Sequence, residues 1–156
     1  MIVCSNTTPF IALASARLLD LLPRLFGEIH VPESVVGECA MGCLIEVPPL
    51  ASLEWIVVHP NPTGSLSGVW DLDAGEKDTI LLALQLSADR ILMDERLGRN
   101  MAEYQGMNVS GTLGVLAKAK RAGLIPAFLD AAETMRRQGI HFSADLIRHI
   151  GRHLGE

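Results

Sequence analysis

The chain has 156 residues, 49% of them hydrophobic but only 4% aromatic, so a single domain over residues 1–156 with a core of Leu, Ile, Val and Ala is expected. A net charge of −5 argues against generic, charge-driven binding of nucleic acid. No apolar run is long enough for a membrane span, and no basic segment precedes an apolar one at the N-terminus, so a cytoplasmic protein without a membrane partner is expected.

The first element is a short buried strand, Ile2-Val3-Cys4, followed by the polar quartet Ser5-Asn6-Thr7-Thr8 and Pro9. A plain turn would favour Gly there; four hydrogen-bonding side chains suggest a helix N-cap or the rim of a site. A helix is expected over 8–26, then a weak strand at Ile29-His30-Val31 closed by Pro32, then a helix over 33–41. The strand Trp55-Ile56-Val57-Val58 runs into a loop, 59–74, rich in Pro, Gly and Ser. A helix over 75–88 follows, then the strand Ile91-Leu92-Met93, which ends abruptly at Asp94-Glu95. Helices over 95–105, 112–123, 126–138 and 143–154 complete the pattern, with a weak strand around Met107-Asn108-Val109. The last helix starts at Ser143, a good N-cap, and places Leu146, Ile147, Ile150 and Leu154 on one side. Strands alternating with helices imply a three-layer α/β/α sandwich around a parallel sheet of about four or five strands.

In an open parallel sheet, ligands bind beyond the carboxyl ends of the strands. Asn6 and Asp94 lie there. In helix 75–88, Glu76 shares a face with Ile80, Ala83 and Leu84, which must point inward, whereas Asp78 falls nearly opposite. An acid on the apolar face of a first helical turn either caps the helix or binds something. Glu38, in the helix that begins at Glu33, is equally compatible with solvent and with a site. Gathered carboxylates repel unless protons or a cation intervene, and oxygen-only ligands suit Mg²⁺ or Mn²⁺. Metal-assisted phosphodiester hydrolysis is one outcome; ordinary strand-end acids are the other.

Three further groups carry two readings each. Asp94 can be a ligand or the cap of helix 95–105. Arg99 can hold a substrate phosphate or pair with Glu95 four residues earlier. Lys118, Lys120 and Arg121 can form an RNA track or a solvated helix end. His149 and His153 have metal-ligand spacing but flank an apolar stripe, so surface histidines are expected. Cys39-x3-Cys43 lacks a second ligand pair for zinc, and Cys4 is expected in the core. Residues 1–95 carry four Lys/Arg and thirteen Asp/Glu, and residues 96–156 carry nine and five. That asymmetry suits a cation site beside a phosphate-binding surface, or two differently solvated faces.

The stretches VCSNTTPFIALA, IHVPESVVGECA, LDAGEKDTILLALQLSADRILMDERLGRNMAE and VSGTLGVLAKAKRAGLIP, in this order, resemble PIN-domain proteins, closest to a prokaryotic branch similar to VapC-like toxin nucleases. The resemblance extends to the terminal FSADLIRHI helix. It implies a PIN-like fold, an acid cluster binding Mg²⁺ or Mn²⁺, single-stranded RNA as substrate, and a homodimer held by a small antitoxin protein. It places Asn6 where most of the family has Asp, Glu38 at the second acid, Glu76 at the third with Asp78 as competitor, and Asp94 at the fourth. Thr7 and Thr112 fall at hydroxyl positions beside the site. The implied metal ligands are Asn6, Glu76 and Asp94, and the implied catalytic acids Glu38, Glu76 and Asp94. Because Asn6 brings no charge, a catalytically weak or silent protein that binds RNA or a protein partner is the alternative.

Overall fold

The computed structural model describes residues 1–42, 44–66 and 71–156. Cys43, and with it the Cys39-x3-Cys43 spacing, lies outside them, as do residues 67–70 of the 59–74 loop. Five strands form one parallel sheet: β1 (Val3–Ser5), β2 (Ile29–Pro32), β3 (Ile56–His59), β4 (Arg90–Leu92) and β5 (Val109–Ser110), in the order β3-β2-β1-β4-β5. The chain lays β2 and β3 to one side of β1, then crosses to place β4 and β5 on the other. The direction of winding reverses between β1 and β4, the place where α/β sheets open a crevice at their carboxyl edge. Asn6 follows β1 at that edge, and Asp94 and Glu95 stand just beyond β4.

The helices cover both faces, giving the expected α/β/α sandwich. Along β1 and β4 the side chains alternate between two cores, as a strand's period of two requires. Val3 and Leu92 join Phe10, Leu13, Leu116 and Phe128 on one face. Cys4 and Ile91 join Ile80, Leu82 and Met101 on the other. Cys4 is fully buried, as expected, and burial pushes its thiol up to about 12.

Among the described residues the helices are α1 (Thr7–Ser15), α2 (Leu21–Phe26), α3 (Glu33–Ala40), α4 (Ala74–Leu86), α5 (Arg96–Tyr104), α6 (Thr112–Arg121), α7 (Phe128–Arg137) and α8 (Ala144–His153), with a 3-10 turn at Leu50–Ser52. The helix expected over 8–26 is therefore two. Arg17 adopts φ +57°, and Leu18 N–H donates back to Leu13 O at 2.9 Å while Arg17 N–H donates to Ala14 O at 3.0 Å. This is a Schellman ending, which normally uses Gly; Arg in that place hides the break from a sequence reading.

The N-cap of α7 is Ala127, whose side chain cannot cap it. Glu156 supplies the cap from the far end of the chain, accepting from Phe128 N–H at 2.7 Å and Leu129 N–H at 3.0 Å. Burial works to raise its carboxyl, but these two donors and Lys120 win and hold it below the usual carboxylate value. Glu156→Ala is expected to cost about 1 kcal/mol at neutral pH. The contribution of a lowered carboxyl disappears as pH falls through its folded value, so thermal melts of variant and wild type should converge in acid.

Candidate functional site

Of the polar quartet, Ser5 ends β1 and donates to Asn6 O at 3.0 Å, while Asn6, Thr7 and Thr8 spend their side chains on carboxylates rather than on the helix. Asn6 occupies the N-cap of α1 yet makes no side-chain cap. Its Nδ2 donates to Glu95 Oε2 at 2.9 Å, and the Thr8 hydroxyl donates to Glu95 Oε1. The Thr7 hydroxyl donates to Glu38 Oε2. The amide orientation of Asn6 follows from chemistry, since only its nitrogen can face a carboxylate. Its Oδ1 is left buried without a hydrogen-bond partner, on a residue only 2% exposed.

Glu38 is turned to the site rather than to solvent. Besides Thr7 it accepts from Gly75 N–H at 2.9 Å. A Cβ on Gly75 would stand 2.4 Å from Glu38 Oε2, so the glycine before Glu76 is what lets α3 and α4 approach. Asp73 caps α4, accepting from Glu76 N–H at 2.8 Å. Gly98 makes similar room in α5: a Cβ there would lie 2.7 Å from Glu76 Oε2 and 2.5 Å from Met93 Sδ.

Glu76 is 8% exposed. Burial, followed by the neighbouring Asp73 and Glu95 carboxylates, pushes it up to about 8. Asp78 departs from expectation: it too is 8% exposed, not on an outward face. α4 is buried on nearly all sides, with Leu81 and Leu82 covered as well as Ile80 and Ala83, whereas Leu84, expected inside, is 38% exposed. Helical periodicity therefore cannot separate the two acids. Glu76 lies beside Glu95 and against Gly98.

Asp94 is not the cap of α5, whose N-cap is Glu95. It reaches α6 instead, accepting from Thr112 N–H at 2.7 Å and from the Thr112 hydroxyl at 2.6 Å. Gly111, the N-cap of α6, has no side chain to do this. Burial raises the Asp94 carboxyl and Glu95 adds to the effect; the Thr112 donors and Arg99 oppose it without reversing it. The surface pair expected between Glu95 and Arg99 does not form among the described residues. A Cβ on Gly111 would meet Arg99 Nη1 at 2.7 Å and Asp94 Oδ1 at 2.8 Å, which sets the guanidinium beside Asp94.

Asn6, Glu76, Asp94, Thr7, Arg99 and Thr112 thus stand round one carboxyl-edge crevice with Glu38. Glu95 is the residue the sequence reading missed as part of it. The available signal was its position directly after Asp94 at a strand end, outweighed by the i, i+4 spacing to Arg99. His149 and His153 are exposed on α8, with His153 Nδ1 at 2.9 Å from His149 O.

The donor set fits a hard divalent cation in kind: only oxygens, with negative charge raised in energy by burial and a buried Asn6 oxygen lacking a partner. Among the described residues no group of three or more His, Cys, Asp and Glu side chains is assembled at metal-holding distances. Glu76, Asp94 and Asn6 Oδ1 are the groups that would hold an ion.

No helix among the described residues is long and apolar enough to cross a membrane. Neither the curated proteins nor the solved structures yield a match to the chain. A family model described as PIN domain matches residues 2–156. PIN domains are generally nucleases and typically use divalent metals. With that match running over nearly the whole chain, on a parallel sheet with acids at its switch point, the protein belongs to the PIN-domain family.

Proposed function

We propose that the protein is a Mg²⁺- or Mn²⁺-dependent endoribonuclease that hydrolyses phosphodiester bonds in single-stranded RNA. Within this reading it is a cytoplasmic toxin that works as a homodimer and is silenced by a small antitoxin protein. The observation that carries the reading is the buried Asn6 Oδ1 left without a partner on a residue whose amide nitrogen is bonded to Glu95, close to the buried carboxyls of Glu76 and Asp94. A buried polar atom without a partner is costly, and carboxylates kept uncomfortable by burial favour a cation.

When bound, the ion lowers the pKa of water and offsets charge gathering on the phosphate. The chain's own groups do the rest. Glu38, steadied by Thr7 and Gly75 N–H, accepts the proton of the attacking water. Thr112 fixes the Asp94 carboxylate, and Arg99 beside it meets the phosphate oxygens. Water adds to phosphorus, the bond to the leaving ribose oxygen breaks, and that oxygen takes up a proton from solvent, to which Glu38 returns the one it gained. Cleavage of a labelled single strand but not of its duplex tests the substrate class; equal cutting of both would refute it.

One observation favours a second reading, a protein that binds without cutting. Asn6 is neutral and its amide is committed to Glu95. Glu95 nevertheless brings a carboxylate to the place where the missing Asp would have supplied one. Asn6→Asp sets two carboxylates against each other at that contact, so it should destabilise the metal-free protein and tighten Mn²⁺ binding about tenfold. Calorimetry checks this, and equal or weaker affinity would remove Asn6 from the ligand set.

A further inference from the structure

Two adjoining cavities leave the acid crevice along the open edge of the sheet. The first, about 450 Å³, is lined by Asp94 and Arg99 of the crevice together with His141, Phe142 and Leu146. The second, about 460 Å³, is lined by Arg90, Lys118 and Arg121. They share Ser110, Gly114 and Ile150 as a common wall, so together they form one groove along β5 from the carboxyl edge toward the start of β4.

The charge of this groove is one-sided. Asp94 is the one acid among its described lining residues, against Arg99, Arg90, Lys118 and Arg121. None of these four is in an ion pair among the described residues. Arg90, on β4, donates to Ser110 Oγ on the neighbouring β5, and Lys118 Nζ sits 5.4 Å from the centre of the Phe26 ring. Lys120, by contrast, is turned away, 3.5 Å from Glu156 and donating to Pro126 O at 2.7 Å. The three cations of α6 are therefore not equivalent: two face the groove and one serves the fold. In an acidic chain this basic strip needs a reason. Leu146, 47% exposed although it belongs to the apolar stripe of α8, lines the groove instead of packing into the core, beside the half-buried Phe142.

We propose that this groove is the track for the single strand of RNA adjoining the scissile phosphate, a proposal that rests on the nuclease reading of the crevice. Backbone phosphates lie against Arg90, Lys118 and Arg121, and a base stacks at Phe142, the combination of basic channel and aromatic platform that binds single strands without sequence readout. An extended peptide is the poorer occupant. β5 has only two residues, too short an edge for strand addition, and the cations call for a polyanion.

The test is fluorescence anisotropy with a labelled single-stranded RNA oligonucleotide in EDTA, where no cutting occurs, over a series of salt concentrations. Lys118→Ala/Arg121→Ala should bind about tenfold more weakly, and its slope of log affinity against log salt should flatten by about 1.4, the value for two lost phosphate contacts on a single strand. Phe142→Ala should weaken binding with the slope unchanged. Arg17→Ala/Arg24→Ala, which removes the same charge outside the groove, should behave as wild type. Wild-type affinity and slope in Lys118→Ala/Arg121→Ala would overturn the track, as would equal losses in the Arg17 and Arg24 control. Binding that follows this pattern in a wild-type protein that cuts no RNA would sustain the track and refute the nuclease reading alone.

Discussion

Asp94→Asn should reduce RNA cleavage by about a thousandfold or more, the scale of losing a group that stabilises charge in the transition state, while the protein stays folded. The second half of this expectation comes from the Thr112 contacts. Asparagine keeps an oxygen to accept from Thr112 N–H, and the Thr112 hydroxyl can turn to accept from the new amide. The N-terminus of α6 therefore remains tied to the strand end. The melting temperature should change by only a few degrees, which thermal denaturation followed by circular dichroism checks. Unchanged cleavage would take Asp94 out of the site, and a collapse of stability would make its role a structural one.

Glu76→Gln should have the opposite sign on stability. The folded protein holds this acid well above its ordinary value because burial and the Asp73 and Glu95 carboxylates oppose its charge. Between pH 4.5 and about 8 the folded chain therefore binds more proton than the unfolded one, and the stability of the metal-free protein falls as pH rises through that window. Glutamine is neutral at every pH and can donate toward Asp73 as the protonated acid does. The variant should be more stable than metal-free wild type at pH 8 by about 2 kcal/mol, roughly 5 °C, and its stability should vary less with pH. Cleavage should be lost in the same protein. A variant that is less stable at pH 8 would mean that Glu76 is comfortable in its place, and the argument for a cation there would lose its electrostatic basis.

The layout of the fold could be read from where apolar runs stop. Each of the three strong strands ends in an abrupt change to polar residues; β1 and β4 are buried on both faces, whereas β3, at the edge of the sheet, buries Ile56 and leaves Val58 38% exposed. β5 was faint because only two residues pair, and the division of α1 from α2 was hidden because Arg17 takes a conformation that a sequence reading assigns to Gly. The candidate site was legible where it follows from strand ends, since Asn6 and Asp94 do lie beyond the carboxyl ends of β1 and β4. It was less legible on α4, where enclosure of the helix on nearly all sides buried Asp78 along with Glu76 and removed the contrast that helical periodicity depends on. Glu95 was missed for a different reason. Its spacing to Arg99 fits a helical surface pair, but the two Asn6 and Thr8 donors across the crevice offer it a better-defined environment than a solvated guanidinium. Leu146 likewise follows the apolar stripe of α8 yet faces a groove, since periodicity reports which side of a helix is apolar and not whether that side is filled.

One measurement tests the metal-dependent nuclease most directly: cleavage of a labelled single-stranded RNA by the wild-type protein with Mn²⁺, alongside the same reaction in EDTA and with Glu76→Gln. Cutting that disappears in both controls is the predicted result, and it would tie the activity to a cation held at this crevice. An intact RNA in the wild-type reaction, or cutting that survives EDTA, would contradict a metal-dependent nuclease.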